Sequence, residues 1–317
     1  MKVNLQHIAL APALGLFVII YSYLITLRPI EYDTKNYLIF YENLIKGDFS
    51  YGACSGFEPI FCFFSYFASL LHLSPFQIHY VWGLSTILLI VNAILKTEDP
   101  YLPKKLILIV TLSINFFNPS EIFFLTRQFV AGALLLNFFV EKNYRHQFVW
   151  GGLSFLTHFF VLPFLILFYL SHRKLRLIYV VKLLIFLCFS YVFLDQIFPS
   201  ELNYIRATME YKFFAYQGKN DGDVLLKDEV KFLVYFAISF YLSDRKTRKF
   251  LLLCFFFYLV TFVNPLMHLR YHKYFYFVFM FSFSNLVKLM WHKFISILSI
   301  IFIYRFISIS RWLVLLI

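Results

Sequence analysis

The chain has 317 residues, of which 61% are hydrophobic and only 15% charged, and its formal net charge is +12. Soluble domains carry about 45–50% apolar and about 25% charged residues, so the composition excludes an ordinary water-soluble domain and points to a polytopic membrane protein. The lysines and arginines fall in short clusters between apolar runs, which is the positive-inside pattern. Anionic lipid headgroups account for that basic charge, and nucleic acid is not an expected partner.

In chain order, the first element is a charged start followed by an apolar stretch over 8–28. It is long enough to cross a bilayer and longer than the core of a signal peptide, so it is expected as a retained first helix. Further apolar runs lie near 76–95, 106–118, 122–140, 177–194, 230–243, 250–266, 273–290 and 294–317. Several are short for about 30 Å of hydrocarbon, and tilt or longer ends must make up the difference. Segments 58–72 and 147–170 are ambiguous. The expected fold is all-α, a polytopic integral membrane helical bundle of about 9–11 transmembrane helices with re-entrant or half-length segments. No repeat or low-complexity linker divides residues 1–317, so a single domain is expected.

Loop charge orients the chain. The basic loops SHRKLR at 171–176 and SDRKTRK at 243–249, with the weaker ones at Lys104–Lys105, Lys142 with Arg145, and Lys293, are expected in the cytoplasm. The long polar segments 29–57 and 195–229 lean acidic and are expected outside. Simple alternation satisfies all of these only if 58–72 and 147–170 each enter and leave by one face. The first is then a short helix in the outer leaflet, and the second a broken pair hinged near Thr157–Pro163. Irregular backbone at that depth must be covered by protein or line a water-filled cavity, so a polar cavity is expected. Among the cysteines Cys54, Cys62, Cys188 and Cys254 no metal-like spacing occurs. Cys54 and Cys62 can form a disulfide if both face an oxidising side.

Charge inside a membrane helix is costly and calls for a functional reason. Arg127, in EIFFLTRQFVAGALLL, is the strongest case. It either snorkels to the external headgroups or, with Gln128, faces a cavity and binds an anion through its planar guanidinium. Arg270, in NPLMHLRYHKYF, stands with His268, His272 and Lys273 either as an interfacial cluster with an aromatic belt or as a second arm of an anion site. His158, in SFLTHFFVLPF, is either a structural donor or a group that binds a sugar hydroxyl or moves a proton. Asp33 can cap the helix that starts there or serve as a base, and Glu58 precedes a proline suited to a first helical turn. Two carboxylates, two arginines and a histidine on the external side suit a lipid-linked sugar diphosphate: arginines for phosphate, and a carboxylate or histidine for the acceptor hydroxyl's proton. HExxH and a Cys/His cluster are lacking, as are a Walker loop and GxGxxG, so neither a metal nor a nucleotide cofactor is expected.

Taken in order, Asp33-x-x-x-Tyr37, GFEP at 56–59, LTRQFVAGALLL at 125–136, LTHFFVLPFLI at 156–166, and Arg270 with Tyr274–Phe275 resemble the EpsG family of Wzy-like membrane polymerases. The resemblance runs from about residue 30 to 280. It departs at Thr157, where phenylalanine is expected, and at Phe159, where a small or polar residue is usual. The resemblance implies a metal-independent, GT-C-like membrane glycosyltransferase in a bacterial inner membrane, acting at the external face. Such an enzyme polymerises repeat units of capsule, exopolysaccharide or O-antigen, moving the growing glycan from undecaprenyl diphosphate to the next lipid-linked unit. It further implies Asp33, Glu58 and His158 as catalytic candidates, Arg127, Gln128 and Arg270 for the diphosphate, and Tyr37 and Tyr274 for sugar. A flippase and a chain-length regulator of the same pathway are the implied protein partners. The alternatives are another lipid-linked glycan transferase or ligase, and a polysaccharide transporter or flippase. Many transporter folds show paired broken helices and internal repeats; no repeat is visible here, and the ionisable residues cluster at one face instead of the midplane.

Overall fold

The computed structural model describes residues 33–47, 58–97, 126–172, 222–261 and 265–283, with short helical pieces at 15, 18–20, 104–105, 107–109, 292–297 and 299. The expected spans over 8–28, 106–118, 177–194 and 294–317 lie wholly or mostly outside the described residues, as does 195–221. Every regular element among the described residues is helical. They are α1 (Asp33–Ile45), α2 (Pro59–Leu70), α3 (Pro75–Leu95), α4 (Thr126–Val140), α5 (Tyr144–Thr157), a 3-10 turn (Phe159–Val161), α6 (Leu162–His172), α7 (Gly222–Leu242), α8 (Arg245–Thr261) and α9 (Pro265–Phe283). One described helix, α3, is long and apolar enough to cross a membrane, while α2 and α4 are apolar but shorter. The chain groups into two compact units, 1–161 with 284–317, and 162–283.

In the first unit, local chemistry sets the helix ends. Pro59 opens α2, with Glu58 as its extended N-cap, a place where the missing N–H of proline costs nothing. The twelve residues of α2 reach about 18 Å, so the ambiguous segment 58–72 is a half-length helix. The chain reverses at His72, whose φ is 57°. Ser74 and Gln77 then form a reciprocal capping box before Pro75 starts α3, satisfying two otherwise orphaned N–H groups. At the other end of α3 the buried Lys105 donates to the carbonyls of Leu95 and Thr97 at 2.9 and 2.6 Å, a cation placed where the helix dipole favours it.

Helix α4 packs between α3 and α5. Fully buried Asn137 donates to the carbonyls of Leu89 and Ala133 and accepts from Asn92, at 2.6–2.9 Å. Ser154 of α5 donates to the Ala131 carbonyl at 2.7 Å. Small Ala131, Gly132 and Ala133 let the helices approach closely enough for these bonds. The core beside them is aromatic: Tyr37, Phe40, Tyr41, Phe61 and Trp82 cluster with Val130 and Leu134, and Phe61 stacks on Trp82 at 4.8 Å.

The second unit packs α6 against α8, and α9 against α7 and α8. Here the structure corrects one expectation. Residues 243–249 are not a basic loop, because α8 already begins at Arg245. Asp244 makes this possible by accepting from the Thr247 N–H at 2.8 Å, and the break between α7 and α8 shrinks to Ser243 and Asp244. Arg248 folds back to the Phe240 carbonyl at 3.1 Å. A second correction concerns α9. Tyr271, Tyr274, Tyr276, His268 and His272 are all buried, because they pack against rings of α6, α7 and α8 such as Phe164, Phe232 and Phe257. They do not form an exposed interfacial belt.

Candidate functional site

Four of the residues singled out in the sequence meet in the first unit. Arg127, near the start of α4, donates from Nη1 to Glu58 Oε2 at 2.6 Å and from Nε to the Tyr37 hydroxyl at 3.3 Å. Its guanidinium also lies over the rings of Tyr37 and Phe61, 5.7 and 5.9 Å from their centroids. The free carboxylate oxygen of this contact, Glu58 Oε1, faces His158 Nε2 at 3.8 Å.

Each side chain is aimed by its element. Glu58 makes no side-chain cap bond to α2, so its carboxylate is turned to Arg127. Tyr37 comes from α1 and is 3% exposed. His158 ends α5 in extended backbone, with φ −161° and ψ 116°, at the break expected near Thr157–Pro163. Its Nδ1 accepts from the Phe160 N–H at 3.4 Å, which puts the proton of the neutral ring on Nε2, facing Glu58. The arginine therefore does not simply snorkel: its charge is met by a carboxylate from a different helix, in a setting where both side chains are mostly covered, at 21% and 12% exposure. A charge-assisted bond of this length is among the stronger ones.

The remaining predicted residues are placed as follows. Gln128 is buried, and its Oε1 has no hydrogen-bond partner among the described residues. Asp33 opens α1, but its side chain lies outside what is described. The same is true of the Arg270 side chain in α9. Tyr274 belongs to the second unit, where it is fully buried with its ring against Phe164 at 5.7 Å. The conditional bond between Cys54 and Cys62 has one end outside the described residues; Cys62 itself, one turn after Glu58, is disulfide-bonded, and Cys254 is free and buried.

Sequence reasoning missed His79. It is 1% exposed, its ring stands 6.0 Å from Tyr37, and its Nε2 lies 3.4 Å from the Thr126 hydroxyl. The signal was present, since a histidine within the apolar run 76–95 is an ionisable group that needs a reason. Beside the site, an apolar groove of about 550 Å³ is lined by Ile60, Phe64, Trp82, Val130 and Thr157 near its site end and by Asn92 and Lys96 further along α3. The chain matches no family model, no curated protein and no solved structure.

Proposed function

We propose that the protein is a polytopic membrane glycosyltransferase that polymerises lipid-linked oligosaccharide repeat units. The observation that carries this reading is the meeting of Tyr37, Glu58, Arg127 and His158 around one ion pair. These residues come from four separate motifs, and nothing in their sequence separation requires them to touch.

A lipid diphosphate presents phosphate oxygens to Arg127, which exchanges Glu58 for them; guanidinium suits both partners because each offers paired oxygens. The exchange releases the Glu58 carboxylate beside His158. Glu58 then takes the proton of the acceptor hydroxyl as that oxygen bonds to the donor sugar's anomeric carbon. The bond from that carbon to the diphosphate breaks, and the lipid diphosphate leaves with its charge held by Arg127. The Gln128 Oε1 is an acceptor that a sugar hydroxyl satisfies.

Two further observations support a lipid-borne substrate in a bilayer. The apolar groove follows α3 from Trp82 to Lys96, about 21 Å at helical rise, and takes several isoprene units. On α2 and its C-cap, Phe63, Phe64, Phe67, Leu70 and Leu71 are exposed along one face, an apolar stripe that water disfavours and lipid covers. The disulfide at Cys62 favours the oxidising, external side for this end of α2.

The test is deletion of the gene and complementation at equal expression with wild type, Arg127→Lys, Arg127→Ala and Glu58→Gln, with surface glycan read on a gel. Loss of long glycan, accumulation of single lipid-linked units and failure of lysine to rescue are expected. Full-length glycan from Arg127→Ala removes the site. A deletion that leaves the glycan unchanged removes the polymerase reading and favours a transporter.

A further inference from the structure

The second unit holds a polar cluster that the proposed reaction does not use. Glu229 of α7 and His268 and His272 of α9 offer ligand atoms that all lie within 4.8 Å of one another. The histidines are one turn apart on one helix, so both reach the same side. Each ring is held by a hydroxyl at one nitrogen and turned inward at the other. His268 Nδ1 meets Thr261 Oγ1 at 3.0 Å, and His272 Nε2 meets the Tyr276 hydroxyl at 3.1 Å. The inward atoms are then His268 Nε2 and His272 Nδ1, the first 2.8 Å from Glu229 Oε1 and the second 3.5 Å from the Tyr258 hydroxyl. Tyr258 donates its own proton to Glu229 Oε2.

The protons can be followed. Thr261 gives its single hydroxyl proton to the Tyr258 carbonyl at 2.6 Å. Toward His268 it is therefore an acceptor, and His268 Nδ1 carries the hydrogen. In the neutral ring, Nε2 is then a lone pair facing a carboxylate oxygen. Two acceptors at 2.8 Å need a positive centre between them: either a proton or a metal ion.

We propose that Glu229, His268 and His272 bind a divalent transition-metal ion of the zinc class, pinning α7 to α9. Two imidazoles and a carboxylate are zinc ligands, and the hydroxyls of Thr261 and Tyr276 supply the outer bonds that fix ring orientation at such centres. The Tyr258 hydroxyl, bonded to Glu229 and 3.5 Å from His272 Nδ1, is a further oxygen beside these three ligands. Tetrahedral zinc draws its ligand atoms to about 3.3 Å apart, so binding contracts the cluster. Glu229 is 24% exposed on its side chain, which gives the ion a way in. Lys231 and Lys273 lie over the Tyr276 ring, 4.8 and 5.5 Å from its centroid, and their charge weakens cation binding without removing a ligand.

The test uses the purified full-length chain in detergent, titrated with zinc chloride by calorimetry and with cobalt(II) by absorption. One ion per chain, tetrahedral cobalt bands, and affinity about tenfold weaker in Thr261→Val and lost in Glu229→Gln and His272→Ala are expected. Absence of cobalt bands and of zinc uptake in the wild type overturns the proposal and leaves a proton shared between Glu229 and His268. Zinc binding that is unchanged in Glu229→Gln and Thr261→Val overturns it as well.

Discussion

Arg127 shows what a permanent charge in an apolar helix requires. Its neighbours in sequence offer no carboxylate closer than Glu121, yet Glu58 reaches it across the fold at 2.6 Å. Removing one partner of such a pair strands the other in poorly solvated surroundings. Glu58→Gln is therefore expected to lower stability by about 2 kcal/mol, the scale of a hydrogen bond to a charged group. The double variant Glu58→Gln with Arg127→Met is expected to recover most of that loss while remaining inactive. Thermal unfolding in detergent, run as a double-mutant cycle, measures the coupling; additive effects of the two changes contradict a direct pair. Arg127 and His158 were legible because each is a polar group in an apolar run, and Tyr37 and Glu58 because they stand in the motifs beside them. Their pairing was not, because it depends on which helices touch.

At the scale of elements, helix ends were readable and helix contacts were not. Pro59, Ser74 with Gln77, and Pro75 mark starts by local chemistry. By contrast, the basic residues at 245–249 read as loop until the Asp244 cap places them in α8. The junction of α3 and α4 gives a pH prediction. In the turn after α4, Glu141 accepts from Lys96 at 2.7 Å and from the Asn143 N–H at 3.1 Å. The Lys96 bond, then the backbone bonds, hold its carboxyl at about 2, below the ordinary 4.5. A depressed folded value means that the stabilisation is present above about 4.5 and is lost as pH falls toward 2. Lys96 is 32% exposed, so the contribution at neutral pH is at most about 1 kcal/mol. The difference in melting temperature between wild type and Lys96→Met is expected at pH 7 and vanishes on acidification. A difference that persists unchanged to pH 3 contradicts the assignment.

For the molecule as a whole, residence in a bilayer is the proposal to test. The described residues contain one helix that meets the length and apolarity of a span, and the composition leads to the expectation of more. The expectation is that the chain stays in the membrane pellet through alkaline carbonate extraction. It is also expected that a membrane-impermeant maleimide labels Cys62 in intact cells only after reduction. Release into the carbonate supernatant removes the polytopic reading, and labelling confined to opened cells reverses the orientation.

Composition and hydrophobic runs by themselves determined helical structure, because only helices satisfy the backbone within a single apolar segment. Polar exceptions in those runs also determined which residues were worth following, since each is expensive where it stands. The tertiary structure alone decided that Arg127 meets Glu58, Tyr37 and the neighbourhood of His158. It alone decided that His268 and His272 are buried facing Glu229. Those outcomes depend on side-chain directions across packed helices, and a one-residue change in helix register turns a side chain by about 100° without altering the apolar pattern that the sequence displays.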